Sequence, residues 1–417
     1  MTNDFAYHLL ISYFLIIILV SFIFYGFGET INGFIRIQIS ASRLISDYFA
    51  IAGIGGTLLN ASFLSLLAIL LLLLLKVKIS GAVFAAVFTI FGFALFGKNL
   101  PSILSIWFGV FISSKIAKKR FIEYIFIALF GSALCPIFSL ISFEISLNAI
   151  LGSLSGFIFT SIIGMFLPPV AIYMLRLHQG YNLYNVGMTA GFLSIFISSI
   201  LRNLKVELKL LEFWSQTSSH IDIFIIPLTC LLFIILGLYK NPKVNIKSFF
   251  NLQKETGRLP SDFITSTSME ATFINMGILT LIFYIHVLLT KSPTNGPVLG
   301  GLFTILGFAA FGKNLRNCLP VAFGVVITAI LLKKPLSSPA IILGTLFSTT
   351  LAPISGSFGV LTGLIAGALH IILVQYTANW VGGINLYNNG FAGGLVATFL
   401  VSIIDWFENT SIIKINK

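Results

Sequence analysis

Apolar residues in this chain run on without interruption, instead of recurring at the two-residue or 3.6-residue spacing of elements that keep one face in water. Between Ile54 and Leu75 no charged residue occurs, a length sufficient for a helix to cross a hydrocarbon layer of about 30 Å. Fourteen apolar segments can be marked off between polar punctuation. In the first half they cover roughly 8–27, 53–75, 81–97, 101–114, 121–142, 148–175 and 184–201, and in the second 222–239, 270–290, 296–312, 317–332, 338–352, 357–378 and 385–404. A membrane β-barrel needs alternating strands of about ten residues, which these continuous Leu-, Ile- and Phe-rich runs are not. The pattern predicts an all-α polytopic membrane protein with about 12–14 transmembrane or re-entrant helices.

Composition sharpens that reading. With 57% hydrophobic and 9% charged residues, the chain has too little polar surface to cover a soluble globule of its size. The first apolar run follows MTNDFAYH, which has no basic start and no small-residue cleavage site, so it is expected to stay as a first helix. Cys135, Cys230 and Cys318 stand in apolar surroundings without metal-type spacing, and neither a disulfide frame nor a metal site is expected. The net charge of +12 comes from basic residues scattered between the apolar segments, as the positive-inside bias of membrane proteins produces. No nucleic-acid partner is implied, and the bilayer itself is the first partner.

The segments repeat. FTIFGFALFGKNL at 88–100 returns as FTILGFAAFGKNL at 303–315, and at the same spacing Ser46-Asp47 matches Ser261-Asp262, Asn60 matches Asn275 and Gly109 matches Gly324. FGSALCPI at 130–137 resembles FSTTLAPI at 347–354, and NLYNVGMTAG at 182–191 resembles NLYNNGFAGG at 385–394. The chain therefore reads as two membrane repeats, 1–215 and 216–417, with a polar linker at 241–268 inside the second. That linker, rich in Lys and Arg, is expected at the membrane surface. Seven segments per copy is an odd number, so the copies must enter the bilayer from opposite sides, giving an inverted repeat. With the N-terminus in the cytoplasm, about 16 basic residues fall inside and about 9 outside, although Arg202, Lys205 and Lys209 then face outward. The expected location is a bacterial cytoplasmic membrane.

Polar positions kept in both copies are the candidates for chemistry. Lys98-Asn99 and Lys313-Asn314 stand between two short apolar segments, at either a tight surface turn or a break inside the membrane. At a break, the lysine would meet the negative end of a helix or attract an anionic solute; at a surface, Gly97 and Gly312 would end the helix while the lysine snorkels. Asn182, Tyr184 and Asn185, matched by Asn385, Tyr387 and Asn388, offer amide and hydroxyl groups that could replace a solute's hydration shell, or else the asparagines cap the last helix of each copy. Asn60 and Asn275 lie deeper and need partners in hydrocarbon. Ser46-Asp47 and Ser261-Asp262 read as N-caps, Gly152/Gly156 and Gly363/Gly367 as helix-packing pairs, and Pro136 and Pro353 as helix interruptions. His178 has Val381 in its place in the second copy, and His286 and His370 are unmatched, so no symmetric role falls to them.

With its FGKN and NLYNxG signatures, each present twice, the chain resembles a family of bacterial integral membrane proteins of about this length, known only as a domain of unknown function. The resemblance implies the two-repeat membrane plan and no activity. In outline the plan is also similar to urea channels and other repeat-built carriers, without a urea-channel motif. No HExxH, GxSxG or nucleotide-binding loop occurs, so no enzyme and no cofactor are expected. The leading expectation is a secondary carrier moving a small polar or anionic solute between the repeats. A passive channel for a small polar solute is the alternative, followed by an intramembrane enzyme or a scaffold; the sequence leaves self-association open.

Overall fold

The computed structural model describes residues 2–146, 148–208, 210, 213–216 and 220–410; Lys209 lies outside them. Among the described residues the regular structure is helical, apart from one isolated bridge between Ser46 and Phe213. A bilayer leaves no water for a backbone that does not satisfy itself, and helices do so within one segment.

The first copy runs α1 (Asn3–Tyr25), α2 (Phe27–Ile39), α3 (Tyr48–Leu74), α4 (Gly81–Ala94), α5 (Leu100–Ile116), α6 (Phe121–Ile145), α7 (Ala149–Leu177) and α8 (Asn185–Asn203). The second follows as α9 (His220–Leu238), α10 (Pro242–Leu252), α11 (Met269–Leu289), α12 (Gly296–Phe308), α13 (Leu315–Leu331), α14 (Pro339–Phe358), α15 (Val360–Trp380) and α16 (Asn388–Asn409). Thus α1 corresponds to α9, α2 to α10, and so on. Among the described residues all fourteen apolar segments are helices, nine of them long and apolar enough to cross a membrane, with α9 added when it is taken with α10, from which it turns by 113°. The short ones are α4, α5, α12 and α13, the segments that flank the two Lys-Asn pairs. Both prolines interrupt their helices as expected: α6 and α14 each pass through a 3-10 turn, Ser132–Leu134 and Thr349–Leu351, and Pro136 and Pro353 stand in the first turn of the helix that resumes.

Two pairs of equivalent helices meet across the copies, and α4 meets α12 antiparallel. Along α4 and α12, a Cβ added to Gly81 would strike the Ala310 carbonyl oxygen at 2.1 Å and one on Gly92 would strike that of Gly300 at 2.7 Å. Phe88 stacks on its own counterpart Phe303, ring centroids 6.3 Å apart and planes 4° from parallel. On α8 and α16, Gly187 faces Gly390, Gly191 faces Phe391 and Met188 faces Gly394. A twofold relation that turns a helix onto an antiparallel copy of itself has its axis across the helices. The α4 and α12 pairings set such an axis, and the first copy carries an odd number of membrane-length helices, α1, α3, α6, α7 and α8, so the axis lies in the membrane plane and the repeat is inverted. In lipid, where apolar contact alone gives little preference between helices, such close backbone approach is what holds them, and around Phe88 the rings of Phe14 (tilted), Phe84 (stacked) and Phe233 (edge-to-face) add aromatic contacts.

The copies also cap each other. Asp47 accepts from the Phe49 amide at the start of α3 and from Gly296, the first residue of α12 in the other copy; Asp262 accepts from the Ile264 amide and from Gly81, the first residue of α4. Asp47 caps its long helix as expected, whereas Asp262 caps a one-turn helix, Phe263–Ser266, and Ser268 is the N-cap of α11; each aspartate nevertheless ties two helix starts across the repeat.

One expectation is refined. The linker 241–268 is not simply a surface loop: α10 turns Phe249 and Leu252 onto Phe263, Ala271 and Ile274, while Lys243, Lys247 and Lys254 stay exposed. The packing role expected of the repeated glycines holds, with one addition. Gly367 meets the Val321 carbonyl and Gly164 meets that of Ile106, which occupies the matching position, so Gly164 is the counterpart of Gly367, while Gly152 and Gly156 pack on Ser142 of α6.

Candidate functional site

The helix breaks at the two Lys-Asn pairs lie in the interior; both lysines are fully buried. A break inside protein leaves carbonyls at one helix end and amides at the next without partners. Asn60 supplies the first set, its Nδ2 donating to the carbonyls of Ala94 and Lys98 at 2.9 Å each; Asn275 does the same for Ala309 and Lys313 at 2.8 Å. Gln38 and Gln253 complete the bridge, donating to the Asn60 and Asn275 oxygens and accepting from the Leu100 and Leu315 amides that open α5 and α13. Asn99 and Asn314 are N-caps with reciprocal bonds to Ser102 and Asn317. These amides are committed to the backbone, and they hold the break in a fixed shape. Gly97 adopts φ +115°, which a side chain resists, whereas Gly312 is needed for the approach of the Gly257 carbonyl, 2.9 Å from where its Cβ would be.

So anchored, each lysine reaches into the other copy. Lys98 Nζ donates to Tyr387 Oη at 2.5 Å and to Ser132 Oγ at 2.8 Å, and Lys313 Nζ donates to Tyr184 Oη at 2.5 Å. Nζ of Lys98 also lies 5.3 Å from the centre of the Phe93 ring, and that of Lys313 lies 5.1 Å from Phe308. The two repeated signatures of the sequence are therefore joined crosswise, the lysine of one copy to the tyrosine of the other. Among the described residues the ion pairs are Arg43–Glu144, Lys119–Glu123 and Arg120–Glu123, so neither buried lysine has a carboxylate partner.

The tyrosines line a cavity of about 190 Å³ on the pseudo-twofold axis. Its wall is built in pairs: Thr89 with Thr304, Phe93 with Phe308, Phe130 with Phe347, Leu183 with Leu386, Tyr184 with Tyr387, and Gly187 with Gly390. Six aromatic rings from these pairs face a space whose polar groups are few: the two tyrosine hydroxyls, the threonines and Asn185 and Asn389. Thr304 bonds back to the Gly300 carbonyl, but the buried Thr89 hydroxyl has no partner among the described residues.

The remaining candidates divide. Asn182 accepts from Thr350 and the Tyr184 amide and donates to the Gly390 carbonyl; Asn385 accepts from the Tyr387 amide and donates to the Gly187 carbonyl. Both fix the tyrosine-bearing turn. Asn185 lines the cavity with its amide held by His178 and the Ala171 carbonyl, whereas Asn388 lines a separate pocket beside it. His370 contacts Asn389, a cavity residue. Sequence reasoning passed over Ser132, the phenylalanine pairs and Thr89/Thr304. All lie inside repeated stretches already quoted, but an apolar motif position carries no mark that separates a cavity wall from a core.

Residues 27–203 and 241–406 match the family described as Protein of unknown function (DUF1576), one match in each copy, and the chain belongs to that family. No curated protein and no solved structure matches it.

Proposed function

We propose that this multi-pass membrane protein is a secondary carrier for a small organic anion with an apolar body, bound in the chamber between its inverted repeats. The observation that carries the reading is the crosswise pairing of two buried lysines, without carboxylate partners, to two tyrosines that face one chamber. An ammonium removed from water is costly unless an anion or a full set of acceptors meets it. Here the protein offers hydroxyls and ring faces, which leaves the anion to the solute. The chamber's size favours a compact body, since an apolar cavity of about 150 Å³ holds benzene. Tyr184 and Tyr387 would hand the solute's acid group to the lysines behind them, and the phenylalanine pairs would enclose the rest. On this reading the chain is not an enzyme, carries no cofactor, and sits in the bacterial cytoplasmic membrane with its N-terminus inside.

The test uses purified protein in sealed vesicles and uptake of radiolabelled benzoate, acetate and urea. Benzoate uptake above that of acetate, reduced at least several-fold in Lys98→Gln and Lys313→Gln variants that remain folded, is the expected result. Urea uptake with no anion uptake would replace the carrier with a passive channel for a neutral solute.

A further inference from the structure

Inverted symmetry gives every feature of the chamber a partner, so a difference between partners is informative. Beyond its paired wall, the chamber extends in one direction only, past Phe126, Asn185 and Leu259. The counterparts of those three residues in the repeat are Leu343, Asn388 and Leu44. They line a distinct pocket of about 200 Å³, which shares Asn389 with the chamber. The same arm thus exists twice, once joined to the chamber and once cut off from it. Neighbouring arginines differ in the same sense. Arg258, next to Leu259 on the joined arm, is exposed, with Nε on the Gln179 carbonyl and its guanidinium 4.2 Å from the Tyr181 ring centre. Its counterpart Arg43, next to Leu44 on the separated arm, is 2% exposed and held by Glu144 at 2.7 Å, with Nε and Nη1 lacking partners among the described residues.

We infer that these arms are the two gates of the chamber, that they open to opposite sides of the membrane in alternation, and that the Arg43–Glu144 pair latches the arm that is shut here. Resting on the carrier reading for the chamber's use, the inference names how access to that site is controlled. Because the repeat is inverted, the two arms point to opposite sides. In the converse state the second copy takes the present conformation of the first, so Arg43 becomes exposed and Leu343 joins the chamber. Glu144 stands in the part of α6 that extends beyond the length of α14, which ends at Phe358, so the second copy has no counterpart to it; the latch is one-sided and biases the equilibrium toward the state seen here.

A Phe126→Cys/Leu343→Cys double variant in sealed vesicles tests this with membrane-impermeant thiol reagents alone, the three native cysteines being buried. Phe126→Cys should react from one side and Leu343→Cys from the other. A bulky adduct first placed at position 126 should wedge that arm open and slow modification at 343 by about tenfold. Adding Glu144→Gln should do the reverse, speeding modification at 343 and slowing it at 126. Modification of both positions from one side, or rates at 343 that ignore the wedge, would overturn the alternating arms. Benzoate uptake is read separately, so arms that alternate without anion uptake would sink the carrier assignment alone.

Discussion

One amide in each copy does much of the work of keeping a broken helix stable. Asn60 and Asn275 each satisfy two carbonyls at the break and are themselves satisfied by a glutamine. Truncating either to Ala should destabilise the fold by about 1–3 kcal/mol, the consequence of stranding buried polar groups, as read by thermal unfolding in detergent. The lysines should behave otherwise. Replacing Lys98 or Lys313 by Gln removes a charge that the surrounding hydroxyls only partly offset, so stability should hold or rise while anion uptake falls, and the double variant should be worse than either single one. A folded double variant that takes up benzoate at the wild-type rate would reduce the lysines to helix-end anchors. The importance of these positions was legible in the sequence from their double occurrence. Their division of labour was not, because an asparagine that caps a helix and one that faces a solute look alike until the neighbouring carbonyls are placed.

Helices here are held by what glycine leaves out. Gly156 on α7 would drive a Cβ to 2.2 Å from Ser142 Oγ, and Gly367 on α15 to 2.0 Å from the Val321 carbonyl oxygen. The two cases differ in remedy, since a serine side chain can rotate away and a helix backbone cannot. Gly367→Leu should therefore lower the melting temperature more than Gly156→Leu, and wild-type stability in both would mean that these faces meet lipid. Apolar runs announced every membrane-length helix within a few residues of its ends, because in hydrocarbon the backbone has few alternatives. The amphipathic α2 and α10 escaped, being short and polar on one side. So did the true partner of Gly367, because Gly164 is found by a contact and not by matching GxxxG spacings.

Orientation follows from the antiparallel meeting of α4 with α12 and the odd number of membrane-length helices in the first copy, and it fixes where loops emerge. The turn Lys118–Arg120 joins α5 to α6, and Lys333-Lys334 occupies the same place between α13 and α14. Inverted copies must put these two basic turns on opposite sides of the membrane, although charge bias alone would draw both to the cytoplasm. The geometry should prevail, since α4 and α12 cannot be turned parallel without breaking the Gly81–Ala310 and Gly92–Gly300 contacts. Single cysteines at Lys118 and Lys334 are exposed positions suited to an impermeant maleimide applied to intact cells. With the N-terminus inside, Lys334→Cys should label in intact cells and Lys118→Cys only after permeabilisation. The opposite assignment would reverse the N-terminal side while keeping the inverted plan. Equal labelling of both from outside would be incompatible with an inverted repeat, and with it would fall the crosswise Lys–Tyr chamber, which needs each copy to present its tyrosine to the other from the opposite direction.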